Sequence, residues 1–200
     1  MKNEFGCYVK TPIGTIVIEE DGKAITALYI SQDMENRQET ENGEDIKTRQ
    51  DVENKETNSA QFVYIETESE VCVKNVGIDC EMNCESELLQ KAVKQMQEYF
   101  TGRRKEFELP IRLQGTDFQQ KVWNALRQIP YGETRSYGEV AAIIGNPKAS
   151  RAVGGANHKN PIMLIVPCHR VIGADGSLTG FGGGLRAKEY LLSLEKKYNV

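Results

Sequence analysis

The chain has 200 residues, 39% of them apolar and 27% charged, with a net charge of −4. That suits one ordinary core or two small ones and excludes fibrous and membrane-embedded classes. Charge divides unevenly: residues 1–100 carry 21 acidic and 10 basic side chains, residues 101–200 carry 8 and 15, and a basic half on an acidic protein points to a polyanion as partner for that half.

The opening, MKNEFGCYVKTPIG, has no long apolar segment, and the longest later apolar run, IMLIV, is far short of a bilayer span. A cytoplasmic protein with no membrane contact is expected. Within residues 13–30, two runs rich in Ile, Val and Thr flank Asp21-Gly22, the pattern of an antiparallel hairpin. Residues 31–60 hold nine acids, four bases and almost no large apolar side chain, too little to offset the entropy of ordering, so a flexible insertion is expected there. QFVYIETE after it is a candidate return to strand. The five cysteines are an odd number without secretory context, so they are expected to be reduced. Cys72, Cys80 and Cys84 lie close in sequence, but there is no C-x-x-C pair and no histidine before His158. No structural zinc and no cofactor are expected.

In SELLQKAVKQMQEYFTG, Leu88, Leu89, Ala92, Val93, Met96, Tyr99 and Phe100 recur at helical spacing, with Ser86 as cap and Gly102 as stop. KEFELPIRL alternates, but Pro110 makes it an edge strand or an extended connector. TDFQQKVWNALRQIP opens with a Thr-x-x-Gln capping box, turns Phe118, Val122, Trp123, Ala125 and Leu126 towards a core, and stops near Pro130. SYGEVAAIIG opens with a second box, Ser136 to Glu139, and runs to about Ile144. Gly145-Asn146-Pro147 turns the chain into another short helix carrying Lys148, Ser150 and Arg151. Two short helices around a glycine turn in the basic half suggest a helix-turn-helix. The paired Gly154-Gly155, costly inside a helix, suits close approach of the backbone to another surface, whether nucleic acid or a neighbouring helix.

These elements predict an α+β chain: residues 1–108 form a small N-terminal antiparallel sheet with a helix, including the acidic insertion at 31–60, and residues 109–200 form a mostly helical winged helix-turn-helix domain. In IVPCHRVIG a cysteine follows a proline at the end of an apolar run, with His169 and Arg170 directly behind it. A nucleophilic thiolate needs a cation or a base near it to be populated near neutral pH, so Cys168 is the candidate nucleophile. Adjacency alone does not fix the geometry of the Cys168–His169 pair.

PCHRVIG at 167–173, RAVGGANHKNP at 151–161 and GSLTGFGGGLRAKEYLL at 176–192 together resemble the O6-alkylguanine-DNA alkyltransferase family, from about Thr116 to Glu195. The N-terminal part resembles that family's smaller, ribonuclease H-like domain in general pattern only. The resemblance implies irreversible, stoichiometric transfer of an alkyl (methyl) group from guanine O6 in DNA to Cys168, after the nucleotide has been flipped out of the duplex. It also implies His169 as a base acting through water, Glu195 as its orienting partner, Asn160 as the brace of the turn before the nucleophile, and Tyr137 as a donor to the departing guanine. Arg151 is implied to fill the vacated stack, while Ala149, Ser150, Ala152 and Gly154 lie in the minor groove of double-stranded DNA with little sequence specificity. Val171, Gly182 and Gly183 are implied to line the substrate pocket, and a monomer without metal is expected. O4-methylthymine is a second candidate substrate. The alternatives are a DNA lesion-binding module without chemistry and a cysteine hydrolase that turns over without DNA.

Overall fold

The computed structural model describes residues 5–31 and 86–199. Apart from Ser31, the acidic insertion lies outside the described residues, as do the strand expected in QFVYIETE and the three cysteines Cys72, Cys80 and Cys84.

Three antiparallel strands open the chain, β1 (Phe5–Thr11), β2 (Gly14–Glu20) and β3 (Ile25–Ile30), in spatial order β1-β2-β3. The hairpin expected around Asp21-Gly22 is the β2–β3 connection. Asp21 Oδ1 accepts from the backbone N–H groups of Lys23 and Ala24 at 3.2 and 3.1 Å, and Gly22 takes the left-handed φ of +81° that a side chain would resist. Ile16, Val17 and Ile18 are all buried, which explains their unbroken apolar run: this strand is covered on both faces. One cover is α1 (Glu87–Phe100), capped by Ser86, whose side chain accepts from Leu89 N. Its buried face carries Leu89, Ala92, Val93, Met96 and Tyr99, the stripe that the helical spacing predicts.

The free edge of β3 is the joint between the two halves. Ile25 and Leu28 each bond an extended segment: Ile25 exchanges backbone bonds with Pro110 and Arg112, and Leu28 with Pro161 and Met163, all at 2.8–2.9 Å. KEFELPIRL is thus a connector with one bridge, at Ile111, since Pro110 offers the sheet its carbonyl but no N–H. The second bridge, at Ile162, anchors the chain shortly before Cys168.

The helical half contains α2 (Asp117–Leu126), α3 (Tyr137–Ile143), α4 (Ser150–His158) and α5 (Gly184–Tyr198), with a parallel strand pair, β4 (Arg135–Ser136) and β5 (Val171–Ile172). Both capping boxes form, Thr116 with Gln119 and Ser136 with Glu139. Trp123 ties α2 to α4 by donating from Nε1 to the Ala156 carbonyl at 2.8 Å. One expectation is corrected: Lys148 does not ride on the second helix of the motif. The turn through Pro147 continues to Ala149, the cap residue, and α4 begins at Ser150. Among the described residues no helix is long and apolar enough to cross a membrane.

Candidate active site

Cys168 opens a single 3₁₀ turn, Cys168–Arg170, immediately after Pro167. The preceding segment is tightly folded. Leu164 sits at φ +69°, a conformation that costs a non-glycine residue of order 1 kcal/mol and is held here by its surroundings. Asn160 supplies that hold: its Oδ1 accepts from Ile162 N at 3.1 Å and its Nδ2 donates to the Val166 carbonyl at 2.8 Å. Cys168 N donates to the same carbonyl at 2.8 Å. From α4, the buried Asn157 donates to the Cys168 carbonyl at 3.3 Å. The backbone of Cys168 is therefore fixed from two sides.

Cys168 is 4% exposed. Burial pushes its pKa up to about 11, against hydrogen bonding from Asn160 and the positive charge of Lys188. Burial thus favours the thiol, and Asn160 and Lys188 favour the thiolate. Arg170 spends its charge elsewhere, and the cation that bears on the sulfur is Lys188, twenty residues further along the chain.

His169 and Glu195 are both fully buried. The His169 Nε2 to Glu195 Oε1 distance is 2.8 Å. Burial alone would raise the carboxyl pKa, but His169 and Arg170 outweigh it and hold Glu195 far below the usual carboxylate range. An ionised carboxylate can only accept, so Nε2 carries the imidazole proton. His169 Nδ1 is left as a lone-pair nitrogen with no hydrogen-bond partner. Burial also lowers the His169 pKa, opposed by Glu195, so the ring is neutral near pH 7.

Arg170 turns away from Cys168. It donates from Nε and Nη2 to Glu195 at 2.9–3.2 Å and from Nη1 to the Ile129 carbonyl at 2.6 Å. Gly132 adds its backbone N–H to Glu195 Oε2 at 3.0 Å. Its φ of +77° and the Asn199 side chain, which would lie 2.5 Å from an added Cβ, leave room for glycine alone. Tyr99, from the N-terminal half, donates to Glu195 Oε1 at 2.6 Å.

Around the other side, the half-buried Tyr137 donates its hydroxyl to the Thr179 carbonyl at 2.9 Å, and burial raises its pKa. Lys188 donates to that carbonyl at 2.7 Å and to the carbonyl of buried Val171 at 2.5 Å. Burial lowers the Lys188 pKa to about 8, which still leaves it mostly cationic at neutral pH. Gly182 and Gly183 are partly buried. An added Cβ on Gly183 would lie 2.5 Å from Ile30 Cδ1, so its smallness serves packing against β3.

The helix-turn-helix presents a second surface. Val153, Ala156 and Asn157 of α4 face the core, whereas Arg151 and Ala152 are exposed and Ala149, Ser150 and Gly154 are partly buried. One helix thus braces Cys168 with one face and offers an arginine and small residues with the other. Tyr99, Asn157 and Lys188 also bear on the candidate site, and motif reasoning did not single them out. Lys188 and Glu195 did leave a signal: seven residues apart, two helical turns, they flank Leu191 on one face of α5, so two charges lay on an otherwise apolar stripe.

Two family models match the chain. The 6-O-methylguanine DNA methyltransferase ribonuclease-like domain matches residues 6–113, and the DNA binding domain of the same family matches residues 117–197. A methylated-DNA–protein-cysteine methyltransferase of Methanosarcina acetivorans is 61% identical over 109 residues, 54% of this chain and 70% of that protein. The constitutive methylated-DNA–protein-cysteine methyltransferase of Bacillus subtilis is 42% identical over 190 residues, covering 94% of this chain and 92% of its own. The crystal structure of Mycobacterium tuberculosis OGT in complex with DNA is 40% identical with a TM-score of 0.66, covering 96% of this chain and 92% of that one.

Proposed function

The chain belongs to the 6-O-methylguanine DNA methyltransferase family and repairs O6-methylguanine in DNA, and from that premise we propose that Cys168 is the sulfur that takes the methyl group. The observation that carries this assignment is the buried imidazole that shares the 3₁₀ turn with Cys168. A neutral imidazole, His169, is oriented by an ionised buried carboxylate so that its unpartnered Nδ1 is the basic atom.

In the reaction, the Cys168 S–H proton passes through a bridging water to Nδ1, and the sulfur electron pair forms a bond to the methyl carbon. The C–O6 bond breaks and its electron pair goes to the guanine, where Tyr137 donates a hydrogen bond once its hydroxyl leaves the Thr179 carbonyl. Positive charge on Lys188 favours the anionic sulfur in a dry site. The product thioether has no leaving group that water can displace, so each molecule acts once. Because O6 lies inside the stacked duplex, the nucleotide must rotate out. Arg151 then occupies the gap, while Ala149, Ser150, Ala152 and Gly154 allow the α4 backbone close to the minor groove, a surface with little sequence information. The protein acts as a monomer.

The test is intact mass after incubation with duplex DNA bearing O6-methylguanine. A gain of one methyl group, saturating at one equivalent and mapping to Cys168, supports the assignment. DNA binding without a mass gain would instead indicate a lesion-binding module, and repeated turnover of an ester or peptide without DNA a cysteine hydrolase. The Arg151→Ala variant is expected to repair duplex DNA about tenfold more slowly or worse, since flipping costs a few kcal/mol that the arginine helps to offset. Its reaction with free O6-alkylguanine base stays near that of the parent; equal losses on both substrates exclude the flipping role.

A further inference from the structure

We propose that Tyr99, contributed by α1 of the ribonuclease-like domain, is a positioning residue for methyl transfer: its hydroxyl grips the Glu195 carboxylate and through it sets how readily His169 holds a proton. The inference rests on His169 being the proton acceptor. Tyr99 is fully buried, and its ring packs against Phe100, Phe107 and Tyr131 at centroid distances of 5.3–5.9 Å. A phenylalanine would fill that space as well, so the packing does not account for the hydroxyl. The hydroxyl goes to Glu195 Oε1 at 2.6 Å, the shortest of the bonds to that oxygen, and lies 3.5 Å from His169 Nε2. Burial and the neighbouring Glu195 charge raise the Tyr99 pKa well above its ordinary value, so the phenol stays protonated and donates.

The cluster has no slack. Around His169 stand Glu195 and Lys188 from α5, Cys168 and Arg170 from its own turn, and Tyr99 from α1. Tyr131 stands behind them, its ring 5.7 Å from the Arg170 guanidinium. Oε1 shares its charge among His169, Arg170 and Tyr99. Each donor taken by the carboxylate weakens its pull on the imidazolium. Tyr99 therefore keeps His169 neutral at rest, with Nδ1 open, while holding Glu195 in line with Nε2. It also makes the proton relay depend on the domain that carries the sheet.

Tyr99→Phe isolates the hydroxyl, and the chain's composition makes the readout clean: it has two histidines, His158 being exposed and His169 buried. With labelled histidine, NMR titration of Tyr99→Phe is expected to show the His169 pKa raised by about half a unit or more, with His158 unmoved. The acid limb of the methyl-transfer rate should move to higher pH by the same amount. A folded variant whose His169 titrates within about 0.2 unit of the parent overturns the proposal, because packing alone would leave that value unchanged. If the variant does not fold, the parent decides: a slowly exchanging Tyr99 hydroxyl proton with a nuclear Overhauser contact to the His169 ring supports the link, and its absence overturns it. The NMR readout does not require Cys168 to be the methyl acceptor, so failure of that assignment is seen separately, in the mass measurement.

Discussion

Cys168→Ser is expected to abolish methyl transfer while leaving the fold and DNA affinity intact. The substitution keeps the backbone bonds that fix this position, from Cys168 N to Val166 and from Asn157 to the Cys168 carbonyl, and it exchanges one small side chain for another. What it removes is the chemistry. The thiol is already held up to about 11 by burial, so reaction depends on moving its proton to His169 as the sulfur attacks. A hydroxyl is a far weaker acid and, without a base matched to it, a poor nucleophile. Single-turnover transfer from O6-methylguanine duplex should fall by at least about a thousandfold, whereas affinity for the same duplex, measured by fluorescence anisotropy, should stay within about twofold because the exposed face of α4 is untouched. Residual transfer near the parent rate would mean that another residue is the acceptor. A parallel loss of DNA affinity would mean that the substitution disturbs the helix-turn-helix, and the activity loss could not then be assigned to the sulfur.

Local features were legible in the sequence because their causes are local. The Asp21-Gly22 turn needs a side-chain acceptor and a residue free to adopt positive φ. The two capping boxes need only residues three apart, and Cys168 stands in a motif of adjacent residues. β1 was less visible: in FGCYVKT the apolar side chains Cys7 and Val9 turn into the core, too short an alternation to separate from a loop. The residues that complete the site are joined over long separations. Tyr99 and Glu195 are 96 residues apart, and periodicity says that Tyr99 lies on a buried face without saying what it meets there. Adjacency misled in the opposite direction, because the 3₁₀ turn sends Arg170 to Glu195 and leaves a distant lysine as the charge that bears on the thiol.

Glu195→Ala is expected to cause the largest loss of stability. The carboxylate is fully buried and binds His169, Arg170, Tyr99 and Gly132 N–H together, so its removal leaves a buried guanidinium whose remaining hydrogen-bond partner among the described residues is the Ile129 carbonyl. Breaking a buried pair by deleting one member costs about 3–5 kcal/mol, a large part of the roughly 5–15 kcal/mol that keeps a domain folded. For a chain of this size that lowers the melting temperature by about 10 °C. The effect has a defined pH dependence. The folded carboxyl titrates far below the unfolded value of about 4.3, so its stabilisation is complete above that pH and is lost as pH falls towards the folded value. The melting gap between parent and variant should therefore be widest near neutral pH, begin to narrow below about pH 4, and close only as pH approaches the far lower folded value. A variant melting within about 2 °C of the parent at pH 7 would show that Arg170 finds another partner. Methyl transfer should fall in the same variant even well below its melting temperature, because His169 loses the acceptor that keeps its proton on Nε2 and its Nδ1 free. That loss separates the two roles of the carboxylate: Glu195→Gln, which preserves shape and one acceptor oxygen, should recover part of the stability but little of the transfer rate, since a neutral amide cannot stabilise the imidazolium that forms as the sulfur gives up its proton.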